Sequence, residues 1–216
     1  YHTDGFMRKL TLVSAPAGFG KTTLVAAWLN KKKEVRIRDE IQSLASTQDG
    51  LSYSLVQPMF KIAWLSLDEN DNDPVRFLTY LITAFRGADE RIGEVELSML
   101  QSPQPPTYEV ILTMLINNLT VVSAPIILVI DDYHLIRTPP IHQQLTFLLD
   151  HLPLQSHLVL LTREDPLLPI TRLRAGGQVL EIRQEDLRFT FDEVAEFLGR
   201  VMRLPLASDE IAALER

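Results

Sequence analysis

The sequence predicts a three-layer α/β/α domain around a parallel five-stranded sheet. Three observations predict it. Apolar runs of strand length alternate with segments of helical periodicity along most of the chain. The first run, Leu10 to Val13, leads through a small-residue loop, Ala15-Pro16-Ala17-Gly18-Phe19-Gly20, straight into a helix. A later run, Ile126 to Ile130, is apolar throughout and mostly β-branched, the composition of a strand covered on both faces, and it ends on two carboxylates, Asp131 and Asp132.

The first element fixes the chemistry. Strand, glycine loop, Lys21-Thr22-Thr23 and a helix through Leu24, Trp28 and Leu29 to about Lys33 together spell a P-loop. The strict pattern has glycine where the small residue Ala15 stands. Successive backbone N–H groups in such a loop wrap phosphate oxygens, and the helix N-terminus adds its dipole. The candidate nucleotide-binding residues are therefore Ala17, Gly18, Phe19, Gly20, Lys21, Thr22 and Thr23. Gly18 and Gly20 permit φ > 0 and a close approach of the backbone. Lys21 supplies a point charge to the β- and γ-phosphates, and Thr22 a hydroxyl for Mg²⁺, a hard cation that takes oxygen.

Residues 34–60 are read as an insertion: Ile37, Ile41 and Leu44 have helical spacing, but polar residues dominate from Ser43 to Ser54. Ile62 to Leu67 reads as the second strand, ended by the acidic run Asp68-Glu69-Asn70-Asp71-Asn72, which reads first as a solvated strand end and helix start, with contact to Mg²⁺ or a partner as the alternative. Asp73 followed by Pro74 is a cap with proline at the first helical position, and Leu78, Leu81, Ile82 and Phe85 give that helix its apolar face. Ser102 to Pro106 breaks the chain into an extended loop, and Val110, Ile111, Met114, Leu115 and Leu119 mark the next helix.

Asp131 and Asp132 have the form of a Walker B segment at the carboxyl end of the third strand, the edge where open α/β sheets bind ligands. Asp131 is the candidate to hold Mg²⁺ together with Thr22, and Asp132 to orient or deprotonate the attacking water. His134, nearby, reads as a structural hydrogen-bonder. A helix follows Pro139 and Pro140, with Ile141, Leu145, Leu148 and Leu149 on one face. His157 to Arg163 is a fourth strand. Arg163 at its end can reach a γ-phosphate and sense its loss; the competing reading is a surface arginine paired to Glu164 or Asp165. Arg172 and Arg174 sit in a short basic helix, Ile170 to Ala175, and Val179 to Ile182 is a short fifth strand. Thr190 to Glu193 spells a capping box that opens a further helix.

The chain has 216 residues and a net charge of −7, which argues against nucleic-acid binding by charge alone. It has no cysteine, so disulfides and thiolate metal sites are excluded. No stretch has the length and apolarity of a membrane span, and a soluble, cytoplasmic protein is expected. The expected organisation is a nucleotide-binding α/β domain over 1–188 and the truncated beginning of a helical domain over 189–216.

SAPAGFGKTTL, WLSLDENDNDPVRFLTYLITAF, LVIDDYHLI with PPIHQQLTFLLDHLP after it, LLTRED and LEIRQEDLRFTFDEVAEFL occur in that order. In this the chain resembles the STAND class of P-loop ATPases, and within it the ATPase domain of large LuxR-type (MalT-like) transcriptional regulators. The resemblance implies a P-loop NTPase sheet ordered 5-1-4-3-2, ATP or ADP with Mg²⁺ as cofactors, and a slowly hydrolysing ATPase that serves as a regulatory switch. It carries phosphate and metal roles onto Lys21, Thr22, Asp131 and Asp132, and γ-phosphate sensing onto Arg163. It further implies self-association in the full-length protein, with DNA and inducer bound through domains absent here. The chain departs from the family in the length of its 34–60 insertion, and it lacks the N-terminal Arg-Pro segment and the Trp-containing Gly-x-x-x-Gly-Leu stretch. Two other functions fit a P-loop: a kinase or transferase acting on a small molecule, and a module that binds nucleotide without turning it over.

Overall fold

The computed structural model describes residues 8–32 and 60–188. The insertion at 34–59, the first seven residues, and the helices expected beyond Thr190 lie outside the described residues.

Five parallel strands form one sheet: β1 (Leu10–Ser14), β2 (Lys61–Ser66), β3 (Ile126–Asp131), β4 (His157–Thr162) and β5 (Val179–Arg183). Their order is β2-β3-β4-β1-β5, the expected 5-1-4-3-2 read from the other edge. β4 therefore stands between the strand that carries the glycine loop and the strand that carries Asp131. Register is continuous: Leu12 lies opposite Leu160, and Ala63 opposite Leu128, itself opposite Leu158.

Because side chains alternate along a strand, each strand feeds two cores. Leu10, Leu12, Ala63, Leu65, Leu128, Ile130, Leu158 and Leu160 point to one face. That face is covered by α2 (Pro74–Ala88), α4 (Tyr108–Thr120), α5 (Pro139–His151) and α6 (Ile170–Ala175), given in chain order around α3 (Glu94–Leu100). Val13, Ile127, Val129, Val159 and Leu161 point to the other, where α1, residues 21–32, lays down Val25 and Leu29. Two covered faces make three layers. They also explain why β3 and β4 are buried along their whole lengths, while β2, at the sheet edge, leaves Trp64 and Ile62 partly exposed.

The helix starts follow the sequence. The Asp73 carboxylate accepts from the Arg76 N–H at 2.8 Å, with Pro74 at the first helical position. The short helix α3, by contrast, has no counterpart among the sequence expectations. It begins after Gly93, whose φ of 89° is left-handed, and it buries Glu96, whose carboxylate accepts from Asn118 Nδ2 at 2.6 Å. The fifth strand and the 3₁₀ turn Gln184–Leu187 close the described chain. No helix among the described residues is long and apolar enough to cross a membrane.

Candidate functional site

The loop between β1 and α1 rises from the carboxyl edge of the sheet. Gly18 and Gly20 both take positive φ, 88° and 67°, and open space surrounds the position of a Cβ at each. Their glycine identity thus serves the backbone turn rather than packing. Ala17, Gly18, Gly20, Thr22 and Thr23 are exposed and Phe19 is half-buried. Lys21 is different: it is 8% exposed and folds back over the loop, donating to the carbonyls of Ala15 at 2.8 Å and Pro16 at 3.0 Å. Burial lowers its pKa, the charge of Arg163 lowers it further, and Asp132 and Asp131 pull it up. Both carboxylates and Arg163 are thus within electrostatic reach of one ammonium.

Asp131 reaches this loop because of strand parity. It shares a face with Ile127 and Val129, the face that α1 covers, so its side chain meets the helix start. The Thr22 hydroxyl donates to Asp131 Oδ2 at 2.8 Å, and the Asp132 N–H donates to Asp131 Oδ1 at 2.9 Å. Asp131 is 4% exposed and Asp132 far more open. The pairing of one hydroxyl with one carboxylate is a hard-oxygen donor set, which fits Mg²⁺; that ion takes one or two protein oxygens and completes its shell with water and phosphate. No group of three or more histidine and carboxylate side chains among the described residues could hold a metal by itself.

Asp132 leaves the strand in a left-handed conformation, φ 56°, ψ 35°, the only non-glycine residue among those described with positive φ. Aspartate tolerates this region better than most residues, yet it still costs about 1–3 kcal/mol. The following 3₁₀ turn, Tyr133–Leu135, buries the tyrosine, whose hydroxyl lies 2.7 Å from His142 Nδ1 on α5. His134 departs from its expected part as a structural hydrogen-bonder. Both ring nitrogens are buried without a hydrogen-bond partner among the described residues, and Nδ1 stands 3.8 Å from Asp132 Oδ1. Its pKa is lowered by burial first and by Arg163 second.

Arg163 is exposed just beyond β4 and pairs with neither Glu164 nor Asp165; Arg183 takes Asp165 instead. Arg172 pairs with Asp150, and Arg174 makes a two-pronged contact with Glu181 at 2.7 and 3.1 Å. Those two arginines are engaged in structural pairs. The acidic run after β2 is not simply solvated, since Asp71 is 3% exposed and closes a capping box with Asp68. Asn72, which the sequence offers only as one member of that run, bonds to the segment that follows Asp132. An asparagine directly ahead of an Asp-Pro helix start was the available signal, but it names no partner.

No protein-family model matches the chain. The HTH-type transcriptional regulator MalT of Klebsiella pneumoniae subsp. pneumoniae is 34% identical over 206 residues, 95% of this chain and 20% of that protein. The MalT of another Klebsiella pneumoniae strain, 342, gives the same figures. The chain thus spans about a fifth of the length of the curated relatives it matches. Among solved structures, Cdc6p from Pyrobaculum aerophilum is similar with a TM-score of 0.49 and 18% identity, over 96% of this chain and 47% of that one, a likeness too loose to carry an argument. Along nearly its whole length, the chain is similar to the HTH-type transcriptional regulator MalT.

Proposed function

We propose that the chain is the nucleotide-binding switch domain of a transcriptional regulator, and that it binds ATP and hydrolyses it slowly. The observation that carries the reading is the 2.8 Å bond from Thr22 to Asp131, which joins the glycine loop of β1 to the carboxylate pair of β3 across the intervening strand. The kinship with a MalT regulator supports a regulatory nucleotide-binding domain.

In this reading the exposed amides of residues 17–23 take the phosphates, aided by the α1 N-terminus. Lys21 leaves the two loop carbonyls it now touches for the β- and γ-phosphate oxygens. Thr22 and Asp131 would hold Mg²⁺, which would neutralise charge on the phosphates. Asp132, open to solvent, orients the attacking water and accepts its proton. His134 lies against that carboxylate. Arg163 meets the γ-phosphate and registers its departure. A slow turnover suits a switch, because a fast one does not hold the ATP state. The proposed nucleotide-binding unit is residues 1–188. Self-association, inducer and DNA binding belong to the longer protein.

The test is a pair of variants. Lys21→Ala is expected to lose ATP binding measured with a fluorescent nucleotide. Asp132→Ala keeps binding but loses phosphate release to water. Wild-type binding and turnover in both variants refutes the assignment, and a phosphorylated small molecule among the products turns it into a transferase.

A further inference from the structure

β2 ends beside the carboxylate pair. Ser66 lies opposite Asp131, and the ladder continues one bond further, with the Leu67 N–H donating to the Asp131 carbonyl at 3.1 Å. The two aspartates of the acidic run that follows, Asp68 and Asp71, are engaged locally. Asp68 accepts from the Asn70 N–H at 2.7 Å, and Asp71 accepts from the Asp68 N–H at 2.8 Å and faces Arg76 Nε at 3.3 Å. Asn72 instead crosses to the other loop. Its Nδ2 donates to the Leu135 carbonyl at 2.9 Å, and its Oδ1 accepts from the Arg137 N–H at 2.7 Å. The Thr138 hydroxyl donates to the Asn72 carbonyl at 2.8 Å. Donor, acceptor and backbone of one residue thus grip 135–138.

What they grip is the continuation of Asp132. That residue sits in a left-handed conformation that relaxes unless its surroundings hold it. One side of the turn is fastened by Tyr133 to His142 on α5. Asn72 fastens the other. We propose that Asn72 is a positioning residue for ATP hydrolysis, a clamp that keeps the Asp132–His134 turn facing the glycine loop; this rests on the hydrolytic reading above. The clamp acts through the turn. Its bonds go to the protein backbone and Thr138, so it serves turnover and leaves nucleotide affinity alone.

The test compares wild type, Asn72→Ala and Asn72→Asp in the purified protein. ATP affinity is read by nucleotide fluorescence, kcat by phosphate release, and the mobility of 133–138 by amide exchange. Asn72→Ala is expected to bind ATP within about twofold of wild type while kcat falls about ten- to a hundredfold, the scale of a catalytic group displaced by about an ångström. Exchange at Arg137 quickens while β3 keeps its protection. Asn72→Asp retains the acceptor for Arg137 and loses the donor to Leu135, so its kcat falls between the two. An unchanged kcat in Asn72→Ala, or a kcat and an affinity that fall together with general loss of protection, overturns the clamp. If wild type releases no phosphate, the hydrolytic reading itself fails and the clamp falls with it. Turnover in wild type matched by Asn72→Ala sinks the clamp alone.

Discussion

His157, at the head of β4, is 2% exposed and held between the Thr11 hydroxyl at 2.9 Å and the Arg8 carbonyl at 2.6 Å. The carbonyl can only accept, so Nδ1 carries the proton and Nε2 accepts from Thr11. Burial lowers the pKa to about 4, outweighing the Arg8 carbonyl, which favours the charged ring. The folded value lies below the unfolded one, so between them the unfolded chain binds more protons and stability rises with pH. The contribution is fully present above the unfolded pKa of about 6.5 and is lost as pH falls from there towards about 4. Over the drop from pH 7 to pH 5, this residue alone is expected to remove about 2 kcal/mol, since one proton taken up only by the unfolded chain is worth about 1.4 kcal/mol for each pH unit crossed below 6.5. Urea unfolding at both pH values checks it. His157→Asn, whose Nδ2 stands in for the Nδ1–H, should flatten that share of the slope.

At the scale of elements, the helix starts and turns carry the expectations. Asp73 caps α2 through the Arg76 N–H, so Asp73→Ala is expected to cost about 1 kcal/mol, seen as a lower urea midpoint with an unchanged m-value. Gly93 is more demanding. A Cβ there would stand 2.6 Å from Ile82 Cγ2 and 3.3 Å from the Ile82 carbonyl, on a backbone with φ of 89°. Gly93→Ala should therefore destabilise by about 2 kcal/mol or more, the left-handed penalty plus displacement of a buried α2 side chain. Equal thermal midpoints for Gly93→Ala and wild type would show that α3 does not need this turn.

At the scale of the molecule, the proposed nucleotide bridges two strands that do not touch. β1 supplies the glycine loop, β3 the carboxylates, and β4 lies between them. A ligand that joins them binds the folded state alone. At a hundredfold excess over its dissociation constant it adds about 2.7 kcal/mol, which for a chain of this size raises Tm by several degrees, roughly 5–10 °C. Differential scanning fluorimetry with ATP and Mg²⁺ is expected to show that rise. Chelating the metal with EDTA should reduce it, and Lys21→Ala should abolish it. A rise that persists in Lys21→Ala would place the nucleotide elsewhere.

The sequence by itself determined the strands, the three-layer class and the residues with chemistry to offer. Those signals are local: an apolar run of strand length, a glycine loop spelled Gly-x-Gly-Lys-Thr, two aspartates closing Ile126 to Ile130, and Asp73-Pro74 at a helix start are each legible within a few residues. The described helix α3 escaped it because a left-handed glycine and a buried Glu96 paired with Asn118 leave no periodic trace. Only the tertiary structure decided who meets whom. Strand parity brought Asp131 to Thr22 across 109 residues, burial left His134 beside Asp132 without a hydrogen bond among the described residues, and the edge shared by β2 and β3 carried Asn72 to Leu135. The physical reason is that a hydrogen bond across a sheet depends on register and on the closing of long loops, and neither is written in the neighbourhood of the residues it joins.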